Sequence, residues 1–161
     1  MNRKAGPRTL VIGYGNPARG DDGLGPAVAE AIGKLDIAGI TVDADYQLNV
    51  EDSSTIAGYD VVVFADASVN CDEPFSFYPL VPQAVTGIDS HHIEPGEVLG
   101  LARELFNAGT EGYVLAIRGY SFSMFTEMMT KKALENMDRA LHFLVPALQS
   151  GFFHQAAQDH M

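Results

Sequence analysis

Residues suited to chemistry on a cation occur in three places: Asp21-Asp22 after a glycine-rich loop, Asp66 closing an apolar run, and His91-His92 in a polar stretch. Each has an ordinary alternative. An aspartate entering a helix is commonly an N-cap, one at a strand end commonly caps a turn, and a loop histidine is commonly a bystander. Adjacent histidines in an extended segment point to opposite sides, so only one of the pair can serve a site. Together, two carboxylates and an imidazole suit a borderline divalent ion such as Zn²⁺, Ni²⁺, Fe²⁺ or Mn²⁺. With no cysteine ligand, such a site would be open and exchangeable.

Other chemistry is less well supported. The glycines at 13, 15 and 20 do not make a dinucleotide fingerprint. Gly15 and Gly20 have phosphate-loop spacing, but Asp21-Asp22 follow where Lys and Ser/Thr belong. Two carboxylates there would repel the phosphate that a helix start attracts. Asp43 and Asp45 share one side of a strand and read as a solvent face. Arg118, at a strand end, could meet a carboxylate, a peptide carboxyl terminus or a partner within the fold. Cys71 is the single cysteine, which excludes an internal disulfide, and no base stands near it in sequence. Ser90 and Ser123 lack a nucleophile-elbow context. Met124, Met128 and Met129, beside Phe122 and Phe125, could line an adaptable peptide groove or simply pack a core.

The elements that must position these residues alternate between strand and helix. Apolar runs over 9–14 and 61–65 read as buried parallel strands. The second ends at Asp66. A helix opens near Asp22, with Asp21 or Asp22 as its cap, and Leu24, Val28, Ala31 and Leu35 mark its buried stripe. Residues 40–46 alternate as a half-buried strand, and 50–57 suggest a short helix capped by Asn49. The proline-rich 72–89 reads as an edge strand or an excursion from the sheet. A helix over 95–106 opens on Pro95, a strand covers 113–117, and the longest helix runs from Thr130 to Leu148 on a stripe of Leu134, Met137, Leu141, Leu144 and Leu148. The expected fold is a single α/β domain, doubly wound, with a mainly parallel sheet and helices on both faces. It spans 9–148, between a disordered lead over 1–8 and a frayed tail over 149–161. Sites in such sheets form at the carboxyl ends of strands, where strand order reverses.

Composition narrows the partners. The 161 residues carry 21 Asp and Glu against 10 Lys and Arg, a net charge of −11. That balance disfavours nucleic acid and anionic membrane surfaces. No apolar run approaches the ~20 residues needed to span a bilayer. The basic start leads only into a short strand-like run and is not a signal peptide, so a cytoplasmic protein is expected.

The motifs resemble those of the hydrogenase maturation proteases, endopeptidases that trim the C-terminal tail of the large subunit of [NiFe] hydrogenases. Leu10-Val11-Ile12-Gly13-Tyr14-Gly15-Asn16 followed by Gly20-Asp21-Asp22-Gly23-Leu24-Gly25-Pro26 resembles the family's strand, Gly-x-Gly-Asn loop and Gly-Asp-Asp/Glu-Gly-x-Gly helix start. Val61-Val62-Val63-Phe64-Ala65-Asp66-Ala67 is similar to its apolar strand closing on Asp-Ala. Ser90-His91-His92-Ile93-Glu94-Pro95 is similar to its Ser/Thr-His segment before a Leu-rich helix, and Ile117-Arg118-Gly119-Tyr120 resembles a later strand and turn. The turn after Tyr120 lacks the family's Gly-Leu-Ser. The resemblance covers 9–146 and implies a peptidase domain with Asp22, Asp66 and His91 as the metal-contacting triad. His92 stands as the alternative, one register away. It further implies that nickel arrives as the substrate's cargo, with other divalent ions able to substitute in vitro. The partner is then the large-subunit precursor, and the protein is expected to be a monomer. Catalysis would fall to Asp22 and Asp66, either with the metal polarising a carbonyl or water or with one aspartate as general base. A non-catalytic nickel-checking or metallochaperone module would use the same triad.

Overall fold

The computed structural model describes residues 6–85 and 93–160. Strand β1 (Thr9–Tyr14) is followed by a 3-10 turn over Gly20–Gly23 and helix α1 (Leu24–Lys34). Then come β2 (Ile40–Asp45), α2 (Asp52–Ile56), β3 (Val61–Ser68) and β4 (Phe75–Pro79). Helix α3 (Pro95–Phe106), β5 (Glu111–Arg118), α4 (Lys131–Ser150) and α5 (Phe153–His160) complete the chain. The sheet order is β2-β1-β3-β5-β4. Four strands are parallel and β4 lies antiparallel to β5 at one edge. Helices α1, α4 and α5 cover one face over Val11, Val63 and Leu115. Helices α2 and α3 cover the other, over Leu10, Ile12, Val62, Phe64 and Val114. This is the doubly wound α/β domain that the alternating pattern implies.

The central strands form because their apolar residues are buried on both faces, as crossover helices require. The chain leaves β1 in one direction to reach β2, then returns to place β3 on β1's other side. Strand order therefore reverses between β1 and β3, and a crevice opens beyond their carboxyl ends.

Several expectations need correction. Neither Asp21 nor Asp22 caps α1; the N-cap position is Gly23, and both aspartates belong to the preceding 3-10 turn. Asn49 does not cap α2: its backbone N–H instead donates to the Asp52 carboxylate at 2.9 Å, and the N-cap position is Glu51. Strand β3 does not end at Asp66 but continues to Ser68, because β5 supplies partners through Arg118. Helix α4 buries Ala133, Asn136, Ala140, Leu144, Ala147 and Leu148, whereas Leu134 is exposed. Leu144 and Leu148 of the expected stripe are buried and Met137 and Leu141 pack on the core, so the stripe holds except at Leu134, where Ala133 is buried instead. The tail is not frayed: in α5 Phe153 and Ala157 are buried, and His160 Nε2 lies 3.0 Å from the Phe75 carbonyl. The first five residues of the expected lead lie outside the described residues. Arg8, at its end, is held: its N–H donates to Asp60 at 2.8 Å, and its carbonyl accepts from the N–H groups of Asp60 and Val61.

Candidate active site

Strand β1 pairs with β3 only as far as Gly13 opposite Ala65. Beyond that point β3 has a neighbour on one side only, where Asp66 pairs with Ala116 of β5. The Asp66 carboxylate thus sits in the sheet yet beside the opening left by β1. Alternation along β3 puts Asp66 on the side of Phe64, the α3 face. Register places Ile12 opposite Phe64, so Tyr14 emerges on that same side.

The second carboxylate is brought in by backbone contact. The first turn of α1 packs so tightly on the ends of β1 and β3 that a Cβ on Gly25 would run into the carbonyl oxygens of Tyr14 and Ala65. Only glycine permits that approach, and it holds the preceding turn, with Asp22, over the switch point. Gly15 adopts φ 143° with the Asp22 carbonyl where a side chain would go. The Asn16 N–H then donates to Asp22 Oδ2 at 2.7 Å, while Asn16 Oδ1 accepts from the Ala18 N–H at 2.9 Å.

Asp22 and Asp66 line one cavity of about 460 Å³, together with Tyr14, Arg19, Tyr46, Ile93 and Glu94 among others. Burial is the main cause pushing the Asp66 carboxyl up to about 7, and the negative charges of Asp22 and Glu94 push the same way. Hydrogen bonds from the Tyr14 hydroxyl and the Ala67 N–H oppose that shift. Burial, then the Asp66 charge, raise Tyr14 well above the usual phenol range. Two carboxylates, one of them easily protonated, can together hold a cation or move a proton.

The structure therefore brings Asp22 and Asp66 together. His91 and His92 lie outside the described residues; Ile93 and Glu94, which follow them in the chain, line the cavity. Among the described residues no three His, Cys, Asp or Glu side chains form a metal-holding group. Asp21, the neighbour of Asp22, is buried elsewhere: its carboxylate accepts the N–H of Tyr120 at 2.7 Å and of Thr130 at 2.7 Å. Asp43 and Asp45 are exposed. Arg118 donates to the Cys71 carbonyl at 2.8 Å, and so finds its partner within the fold. Met124 and Met128 are exposed, whereas Met129 packs on the core beneath α4. Sequence reasoning did not single out Tyr14 or Glu94, which also border a second cavity of about 370 Å³ on the other side of Asp66. The strand parity that Tyr14 shares with Ile12 was the available signal.

This arrangement defines a class of fold. [NiFe] hydrogenase maturation protease HycI from Thermococcus kodakarensis KOD1 superposes with a TM-score of 0.68 at 23% identity, covering 89% of this chain and 92% of that one. Hydrogenase maturating endopeptidase HybD from E. coli gives 0.67 at 18% identity over 90% and 94%. Hydrogenase 2 maturation peptidase from Thaumarchaeota archaeon SCGC_AB-539-E09 gives 0.64 at 19% over 88% and 97%. The chain thus has the fold of the hydrogenase maturation proteases over nearly its whole length. No family model matches the sequence, and no curated protein matches it.

Proposed function

We propose that this protein is an endopeptidase that removes the C-terminal extension of a [NiFe] hydrogenase large-subunit precursor after nickel insertion. The observation that carries the reading is the convergence of Asp22 and Asp66 on one cavity at the strand-order reversal, in a fold shared with proteins named as a [NiFe] hydrogenase maturation protease and a hydrogenase maturating endopeptidase. The motifs quoted above support it independently.

Nickel enters as cargo of the substrate. Asp22 and Asp66, with His91 or His92 from the adjoining segment, offer oxygen and nitrogen donors to an ion already held by the precursor, a donor set that suits nickel. Binding is then strong only when the precursor is loaded, and cleavage waits for metal insertion. Loaded nickel can polarise the scissile carbonyl or the attacking water, and a carboxylate within reach can take the water's proton. A cytoplasmic location fits an enzyme acting on an unassembled subunit; among the described residues no helix is long and apolar enough to cross a membrane.

The test is incubation of the purified protein with nickel-loaded and nickel-free precursor, followed by mass spectrometry of the products. Release of a C-terminal peptide from the loaded form alone is expected. No release from either form would overturn the reading and favour a nickel-checking module built on the same side chains.

A further inference from the structure

Asp21 is fully buried, yet it faces neither cavity. Its carboxylate accepts four hydrogen bonds, all from the segment 119–130. Oδ2 takes the N–H of Tyr120 at 2.7 Å, the N–H of Ser121 at 3.1 Å and the Thr130 hydroxyl at 2.9 Å. Oδ1 takes the Thr130 N–H at 2.7 Å. Burial alone would raise this carboxyl, but the backbone donors outweigh it and hold the group below its ordinary value. Hydrogen bonds to an ionised group in a dry setting are among the stronger ones in proteins.

The backbone around Asp21 is tied to the same segment. The Asp21 N–H donates to the Ser121 carbonyl at 2.8 Å, the Gly20 N–H to Thr126, and the Thr126 N–H to Ala18 at 2.9 Å. From there the bonds run directly to the site. The Asp22 N–H donates to Arg19, the Arg19 N–H donates to Asn16, and the Asn16 N–H closes the ring on Asp22 Oδ2. The Asp22 carboxylate is the last link of a network anchored about a hundred positions further along the chain.

We propose that Asp21 is a positioning residue for Asp22: its carboxylate locks the 119–130 segment onto the turn that carries Asp22 and so fixes where that side chain points. The catalytic consequence rests on the endopeptidase reading; the positioning itself does not. Without the lock, the turn keeps its backbone bonds to Ser121 and Thr126 and the Gly15 and Asn16 side of the network, but loses the four bonds that fix the 119–130 segment against it. An asparagine is the sharpest probe, because its amide group is nearly isosteric with the carboxylate but sets an N–H₂ donor against the donors of Tyr120, Ser121 or Thr130.

The experiment is Asp21→Asn in the full chain, read two ways. The first is amide hydrogen exchange at Asn16, whose N–H reports on the Asp22 carboxylate directly. Exchange at Asn16 is expected to quicken about tenfold relative to the sheet amides of Val11 and Val63. A purely structural role would speed all three together and leave the ratio unchanged, which would overturn the proposal. The second is precursor cleavage: kcat/KM for the nickel-loaded precursor is expected to fall about tenfold or more, since a displaced Asp22 weakens both the contact to the substrate's metal and turnover. Ala157→Gly, in α5 against the edge strand β4 and outside the lining of the Asp22–Asp66 cavity, controls for lost stability and should leave kcat/KM unchanged. If Asp21→Asn does not fold, Thr130→Val removes one of the four bonds and should shift both readouts the same way by less. Wild-type protein that releases no peptide defeats the endopeptidase reading, while the exchange ratio still decides the positioning. Wild-type protein that cleaves, with Asp21→Asn cleaving equally fast, defeats the positioning alone.

Discussion

The two ends of the sheet each carry a cavity, and the larger lies at the amino ends of the strands, about 680 Å³ against about 460 Å³ at the carboxyl ends. Its polar groups are occupied by the fold. Asp60 accepts the Arg8 N–H, and the Thr110 hydroxyl lies 3.0 Å from the Ile56 carbonyl and 2.8 Å from that of Tyr59. At the carboxyl ends the carboxylates of Asp22 and Asp66 instead face one another's charge, and the acidity of Asp66 is displaced to about 7. The difference is topological. At the amino ends the chain bonds directly from one element to the next, as in the Thr9 N–H to Gly39 and Glu111 N–H to Asp60 bonds. At the carboxyl ends the pairing of β1 with β3 stops at Gly13 and Ala65, and among the described residues Tyr14, Asp22 and Asp66 line the space beyond it. Capacity for chemistry follows the convergence of carboxylates rather than volume.

Asp21 and Asp66 repeat the contrast at single-residue scale. Burial raises the pKa of both, but hydrogen bonds from three backbone N–H groups and the Thr130 hydroxyl reverse the sign for Asp21, whereas the Tyr14 hydroxyl and the Ala67 N–H only moderate it for Asp66. One carboxylate is therefore fully engaged in positioning its neighbour and the other stays available.

Substitutions at the two ends should separate accordingly. The largest effect is expected from Asp66→Asn and Asp22→Asn, each slowing peptide release from loaded precursor by about 100-fold or more, in line with loss of an acid–base or metal-contacting group. Asp60→Asn at the opposite cavity should stay within about twofold. Equal losses at both ends would break the comparison.

Next, Gly25→Ala should cost on the order of 3 kcal/mol in chemical denaturation, because the added Cβ meets backbone oxygens that cannot give way. Gly109, which borders the larger cavity, has nothing within 4 Å of an added Cβ, and Gly109→Ala should change stability by less than about 0.5 kcal/mol.

The pH dependence of stability sharpens the contrast further. The folded pKa of Asp66, about 7, lies above the ordinary value of 3.8, so the folded protein holds more protons between these limits. The contribution of Asp66 is fully present below about pH 4 and is lost as pH rises through about 7. At pH 8 Asp66→Asn should be more stable than wild type by about 4 kcal/mol, and the gap in Tm should close by pH 4. A gain in stability paired with a loss of cleavage would mark Asp66 as retained for chemistry.

A smaller loss of stability than at Gly25 is expected at Thr110. Thr110→Val leaves the Ile56 and Tyr59 carbonyls without their shared donor and should cost about 2 kcal/mol, with cleavage unchanged.

The sequence by itself determined the alternation of strands and helices, the parallel character of the sheet and two of the site residues. Strands buried on both faces must be continuous apolar runs, and a carboxylate that closes such a run, or follows a glycine-rich turn, can be placed at a strand's end without knowing the strand's neighbours. Pairing across the chain decided the rest. Asp21 and Asp22 are adjacent and chemically identical in sequence; only the approach of Tyr120, Ser121 and Thr130 makes one a clamp and leaves the other to the cavity. The core takes Ala133, Asn136 and Ala140 of α4 beside Leu144 and Leu148 and leaves Leu134 exposed, and α5 forms where Phe153 and Ala157 find the core. Local pattern records what a residue needs, namely burial, a turn or a cap. Which partner meets that need depends on contacts between distant parts of the chain, and these exist only in the folded protein.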